Sequence, residues 1–354
     1  MSGTPGKQVT DKVSGDQAHP SSKVPIHHRR RMMVGIALVA LLLGTIVSGL
    51  ILVSGNGPPP PDGPEPPPTD SAFLVDPATR ETGEVIRNAA VEGLVVSGFR
   101  VQEGIMWVLG RSAVIRVDVE SHQRTQIPLE GPAMDLGTGP SGVWLIHATW
   151  LSKFDDSTGG ISPIKEMPGG SPSRLVVGTF IWVLGRSAEP TNAKPQTLVR
   201  YDPESGEIVA TPTRGVDVAT SLDGIWIADA EGSQVLRIDP LDPSAESQLV
   251  DVDVAPDGIA ADERHVWIFD RESGTVTIIN SDEKVAGQPI PIGHHPIDIR
   301  SWRGGALTVN DDGTITFIDE SGSVEPIEIA VRVVAVAAER DAETDEDTVW
   351  AIAQ

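Results

Sequence analysis

Cysteine is absent from this chain of 354 residues. That excludes disulfides, thiolate metal sites, a cysteine nucleophile and a lipid anchor on an N-terminal cysteine. No glycine loop of the phosphate-cradling kind stands ahead of a helix, and no Gly-x-Ser-x-Gly nucleophile elbow is present. Segments of helical period are missing outside one apolar run, so the bulk of the chain reads as all-β. Cations are scarce: 27 Lys and Arg face 50 Asp and Glu, for a net charge of −23. Residues 1–31 carry +4, which leaves −27 on everything after them. So acidic a surface repels nucleic acid and anionic lipid and favours solubility in a salty or crowded exterior.

The first 31 residues are polar and without periodicity, and they predict a disordered cytoplasmic tail. His27 to Arg31 then abuts Met32 to Val53, 22 residues without a charge, of which 13 are Leu, Ile or Val. At about 1.5 Å per residue this run spans roughly 33 Å, enough to cross a bilayer. A cleavable signal peptide would have a shorter apolar core followed by a clear small-x-small site. The expectation is therefore an uncleaved transmembrane helix over 32–53. Its cationic flank holds the N-terminus in the cytoplasm and puts the rest outside the cell membrane. Residues 54–71 hold eight Pro in eighteen positions. They predict a stiff polyproline II stalk, with a ligand for an SH3-type module as the other use of such a run.

From residue 72 a two-part pattern recurs. A β-branched run carries Trp, and after a turn a second alternating run closes on Asp. The Trp position is Trp107, Trp144, Trp182, Trp226, Trp267, Leu307 and Trp350, at spacings of 37, 38, 44, 41, 40 and 43 residues. The closing position is Asp76, Asp118, Asp155, Asp202, Asp239, Asn280 and Asp319. Strand pairs at a period near 40 point to a β-propeller. The chain opens on an Asp half without a Trp half and ends on a Trp half without an Asp half. Joined, the two orphans complete a seventh blade and remove the free sheet edges. With four strands per blade, labelled A (inner) to D (outer), Trp falls on B and Asp ends C. For residues 256–293 this gives A over Gly258–Asp262, B over His265–Phe269, C over Thr275–Ile279 and D over Val285–Ile292. Trp at a sheet-to-sheet junction is a packing residue, and Asp-Pro-x-Ser-Gly, as at Asp202 to Gly206, is turn chemistry. An EF-hand ligand spacing is absent from those turns.

The Val/Ile-Trp-Val/Ile-x-Asp/Asn strand and the Ile/Val-Asp-Pro-x-Ser/Thr-Gly turn resemble those of YncE-type and streptogramin lyase-type propellers, close to the NHL and YVTN repeats. The resemblance covers residues 72–354 and implies a seven-bladed propeller. In its lyase members it implies His and Glu side chains around a divalent metal at one mouth of the ring. Three residues after each Trp position this chain has Gly110, His147, Gly185, Asp229, Asp270, Asn310 and Ala353. None is Glu, and His294 and His295 precede Pro296 instead of following it.

The B–C and D–A loops share one face of a propeller. The candidate ligand-binding residues there are His147, Asp229, Asp270, Asn310, His294 and His295. Arg111 and Arg186 join them from the twin Val-Leu-Gly-Arg-Ser-Ala segments at 108–113 and 183–188, and Glu231, Arg271 and Asp311 lie alongside. Carboxylates and imidazoles of this kind suit a divalent cation. Alternatively, the Asp and Asn residues cap their own turns. The long loop 185–195 is a further candidate contact, and the acidic insert 339–347 reads as solvated. The function expected is a membrane-anchored, non-catalytic binding or scaffold module for a protein, peptide or cell-wall ligand, without nucleic acid and without an obligate cofactor. The alternatives are a metal-dependent lyase or hydrolase with its site at the ring mouth, and a subunit that stabilises a larger membrane complex.

Overall fold

The computed structural model describes residues 67–354 apart from 77, 78, 80, 90–95, 169, 170, 187–195, 223, 303, 328 and 341–346. The tail, the apolar run 32–53, most of the stalk, the greater part of loop 185–195 and the core of the acidic insert lie outside the described residues. Among the described residues no helix is long and apolar enough to cross a membrane.

Seven antiparallel sheets make up the described chain, six of four strands and one of five. Their innermost strands are Gly98–Gln102, Ala133–Gly139, Ser171–Val177, Asp217–Thr220, Gly258–Ala261, Pro296–Trp302 and Val333–Arg340. We number the blades 1 to 7 in that order. Each inner strand touches the next, and the seventh touches the first, so the sheets close into a ring. Blade 7 is the shared one. Its strands Val333–Arg340 and Asp347–Ala353 come from the C-terminus, and Ala72–Val75 and Thr82–Ile86 come from the N-terminal side. The seam pairs Phe73 with Ala351 and Val75 with Val349.

The Trp positions explain why the sheets stack. Trp144, Trp182, Trp226 and Trp267 are at most 2% exposed, Trp107 is 4% and Trp350 is 3%. Each side chain packs into the following blade. Trp107 meets Leu136 and Leu145, Trp226 meets Ile259 and Val266, and Trp350 of blade 7 meets Phe99 and Val108 of blade 1. Burying so large a ring contributes about 2–3 kcal/mol per junction. Each Asp position works as a turn former. Asp202 accepts amide N–H groups from Glu204 at 2.8 Å and Ser205 at 3.3 Å and the Ser205 hydroxyl at 2.6 Å, while Gly206 takes φ 72°. The Ser205 hydroxyl, with the amides, holds this carboxylate below its ordinary range.

One strand departs from expectation. The outer strand of blade 5, expected over 285–292, is broken into Val285–Ala286 and Ile290–Pro291, both paired to Thr275–Asn280. Between them Gly287 donates to the Ile278 carbonyl at 2.8 Å, and Pro289 has no N–H for the ladder.

Candidate functional site

The inner strands start, and the second strands end, on one face. Asp229, Asp270 and Asn310 are each the last residue of a second strand, and each turns back on its own loop. Asp229 accepts the Gly232 amide at 3.0 Å, and Asp270 accepts the Ser273 amide at 3.1 Å. Asn310 is 1% exposed and donates to the Thr314 and Thr316 hydroxyls at 3.0 and 2.9 Å while accepting from Thr308 at 3.1 Å.

The two histidines lie in the turn from blade 5 to blade 6, and they bring Asp270's loop and Asn310's loop together. Nδ1 of His295 is 2.8 Å from the Arg271 carbonyl, so the ring donates there. Its own carbonyl accepts the Asp311 amide at 3.0 Å. Nδ1 of His294 meets Asp312 at 2.9 Å, and Arg271 faces Asp311 at 3.8 Å. Burial opposes ionisation of Asp312, but the Thr314 hydroxyl and amide and the His294 ring outweigh it and lower its pKa. The loops approach so closely that a side chain on Gly274, at φ 65°, would stand 2.7 Å from the His294 carbonyl.

The remaining candidates do not join this cluster. Asp229 belongs to blade 4. Arg111 is exposed on the blade 1 turn, and Arg186 ends a strand of blade 3 with its side chain outside the description. His147, on blade 2, lines a groove of about 360 Å³ with Trp150, Leu129, Ile161, Pro128 and Pro163. Burial lowers the His147 pKa, and the carbonyls of Pro132 and Gly131 recover part of the shift. The divalent cation implied by the lyase resemblance finds no ligand set here. Among the described residues no three His, Asp or Glu side chains are grouped to hold a metal ion. His295 is turned to a carbonyl, and the acid groups serve their turns.

Two features escaped the sequence reading. The first is the ring channel, about 250 Å³, lined by the inner strands of all seven blades. Arg100, Arg174 and Arg300 and Asp135, Asp217 and Asp298 stand among those strands. Arg174 reaches Asp217 at 2.8 Å, Arg300 reaches Asp298 at 3.0 Å and Arg100 stands 3.8 Å from Asp135. Asp135 bridges blades by accepting the amides of Leu136 at 2.8 Å and Leu175 at 2.9 Å, and Asp217 likewise accepts Val218 at 3.0 Å and Ile259 at 3.2 Å. Burial pushes Arg100 down to about 10, Arg300 adds like-charge repulsion, and Asp135 opposes both. Burial also raises the Asp217 pKa, although Arg174 and two amides pull the other way.

The second lies on the opposite face. Pro140, Phe180, Leu222, Pro240 and Leu241 line a groove of about 580 Å³ that Asp262 and Glu263 border. Leu222 is 82% exposed and Leu241 is 76% exposed. The chain enters the ring on the other side. Asp70 donates to the Ala353 carbonyl at 3.0 Å, and Ala353 is the repeat equivalent of His147 and Asp270.

These observations define the class: a seven-bladed β-propeller closed by a blade shared between the two ends of the chain. No family model matches the chain, and no curated protein matches its sequence. Solved structures do. A virginiamycin B lyase from Staphylococcus aureus is similar at a TM-score of 0.57 and 14% identity, over 73% of this chain and 94% of that one. The extracellular domain of a candidate one-component system from B. thetaiotaomicron is similar at a TM-score of 0.54 and 12% identity, over 73% and 40%. PorZ, a bacterial surface component of the type-IX secretion system of Porphyromonas gingivalis, is similar at 0.53 and 13%, over 74% and 38%. At these identities the likeness is one of fold.

Proposed function

We propose that the chain is a non-catalytic binding platform, held at the outer face of the cell membrane by residues 32–53 and displayed on the stalk 54–71. The observation that carries this reading is the apolar groove at Leu222 and Leu241, on the face opposite the point where the chain enters the ring. Two leucines this exposed, set among Pro140, Phe180 and Pro240, form a contiguous apolar patch of the kind that marks a protein contact. Its acidic border, Asp262 and Glu263, suits a protein or peptide with an apolar side chain flanked by Lys or Arg. Support for the anchor comes from the uncharged run and its cationic flank. The surface or extracellular setting of two similar structures accords with it. The face with His147, Trp150, His294 and His295 offers a secondary contact.

Affinity capture of the full-length protein and of a Leu222→Asp, Leu241→Asp variant tests the reading. The expected result is one or more partners retained by the native chain, lost from the variant and kept by a His147→Ala variant. Equal capture by all three overturns it. A metal-dependent lyase or hydrolase would have to be built on His294, His295 and Asp312, which are engaged with Asp312, with the Arg271 carbonyl and with Thr314 respectively.

A further inference from the structure

The channel's arginines are unevenly satisfied. Arg174 pairs with Asp217 at 2.8 Å and Arg300 with Asp298 at 3.0 Å, whereas Arg100 stands 3.8 Å from Asp135. Arg100 and Arg300 stand at equivalent positions of blades 1 and 6, each opposite the Trp-position residue of its own sheet, Trp107 and Leu307. Between them blade 7 offers Ala337, opposite Trp350. Two guanidinium groups therefore flank a small side chain at one level of the channel. Asp135, the acid nearest Arg100, already accepts two strand amides, which leaves Arg100 with one short bond, from Nη1 to the Phe99 carbonyl at 2.8 Å. Nε of Arg300 is buried without a hydrogen-bond partner among the described residues. A guanidinium fork matches a carboxylate or phosphate edge. The acidic exterior does not forbid one, because its field is screened over about 8 Å at physiological salt. At roughly 30 Å³ per water, a volume of about 250 Å³ admits a small organic anion as readily as an inorganic one.

We infer that the ring channel is a binding site for a small oxyanion, a carboxylate or a phosphate, held between Arg100 and Arg300 above Ala337. The site is separate from the apolar groove and from the histidine cluster. Titration calorimetry of the full-length protein with inorganic phosphate and, separately, with succinate tests it. One saturable site per ring is expected for at least one of the two, and which one binds tells phosphate from carboxylate. Arg100→Met should weaken that binding by roughly tenfold or more, since a charge-assisted bond is lost. Arg300→Lys keeps the charge but loses the fork and should weaken it several-fold. It decides the matter should the first variant fail to fold. Absence of saturable binding for both anions at millimolar concentration overturns the inference, as does unchanged affinity in Arg300→Lys.

Discussion

Asp217 offers the sharpest test of how the ring is stitched, because its two roles pull its ionisation in opposite directions. Its side chain is 11% exposed and meets Arg174 Nε at 2.8 Å, the Val218 amide at 3.0 Å and the Ile259 amide of the next blade at 3.2 Å. Hydrogen bonds to a charged acceptor contribute about 1.5–3 kcal/mol each. The Arg174 side chain is 48% exposed, so the ion pair itself adds no more than about 1 kcal/mol. Relief of the buried carboxylate's desolvation offsets part of the loss, and Asp217→Ala should cost about 2–4 kcal/mol. Asp217→Asn keeps the shape and one acceptor oxygen and should cost less. The pH dependence separates the forces. Burial raises the folded-state pKa of Asp217 above its unfolded value. Stability from this group is therefore fully present below the unfolded pKa, near 4, and is lost as pH rises through the folded pKa. Urea denaturation of the native and Asn forms from pH 3 to 8 should show the native advantage narrowing as pH rises. An advantage that widens with pH would mean the Arg174 pair outweighs burial, and the reasoning would be refuted.

Other expectations follow from single contacts. Trp226 donates its indole N–H to Ser221 at 3.0 Å, whereas that of Trp267 has no partner among the described residues. Trp226→Phe should thus cost about 1 kcal/mol more than Trp267→Phe in thermal unfolding; equal losses would contradict this. A Cβ on Gly305 would lie 2.3 Å from the Ile318 carbonyl, backbone that cannot swing aside, so Gly305→Ala should destabilise by about 1–3 kcal/mol. His147 should titrate below the ordinary imidazole value in NMR because burial disfavours its charged form. Its share of stability is present above the unfolded pKa and falls as pH drops through the folded one, a trend that His147→Gln should remove. Because the chain lacks Cys, single-cysteine labelling is clean. A membrane-impermeant maleimide on intact cells should label Leu241→Cys and leave Ser2→Cys unlabelled until lysis.

Blade number and closure were legible because the residues that announce them answer to packing and turns. Trp107 through Trp350 recur wherever one sheet must fill the gap to the next, and Asp118 through Asp319 recur wherever a turn needs an acceptor. The outer strand of blade 5 was legible in extent but not in its break, which depends on Pro289 falling where the ladder needs a donor. Function left weaker marks. Asp229, Asp270 and Asn310 were legible as polar residues at one mouth, yet their side chains serve their own loops. Arg100 and Arg300 share one inner-strand position and Asp135, Asp217 and Asp298 another, but other residue types fill those places in the remaining blades, so the repeat does not single them out. A charge inside an otherwise apolar inner strand was the available signal. Leu222 and Leu241 sit in loops some twenty residues apart, and the antiparallel sheet of blade 4 brings its first-to-second-strand turn and its third-to-fourth one to the same end.

The claim that the apolar groove is the working surface is tested most directly by placing a photo-crosslinking residue at Leu222 and, separately, at Trp150 in the full-length protein in living cells. A discrete adduct from position 222 that disappears on adding Leu241→Asp is the predicted result. Adducts from position 150 alone, with none from 222, would contradict it.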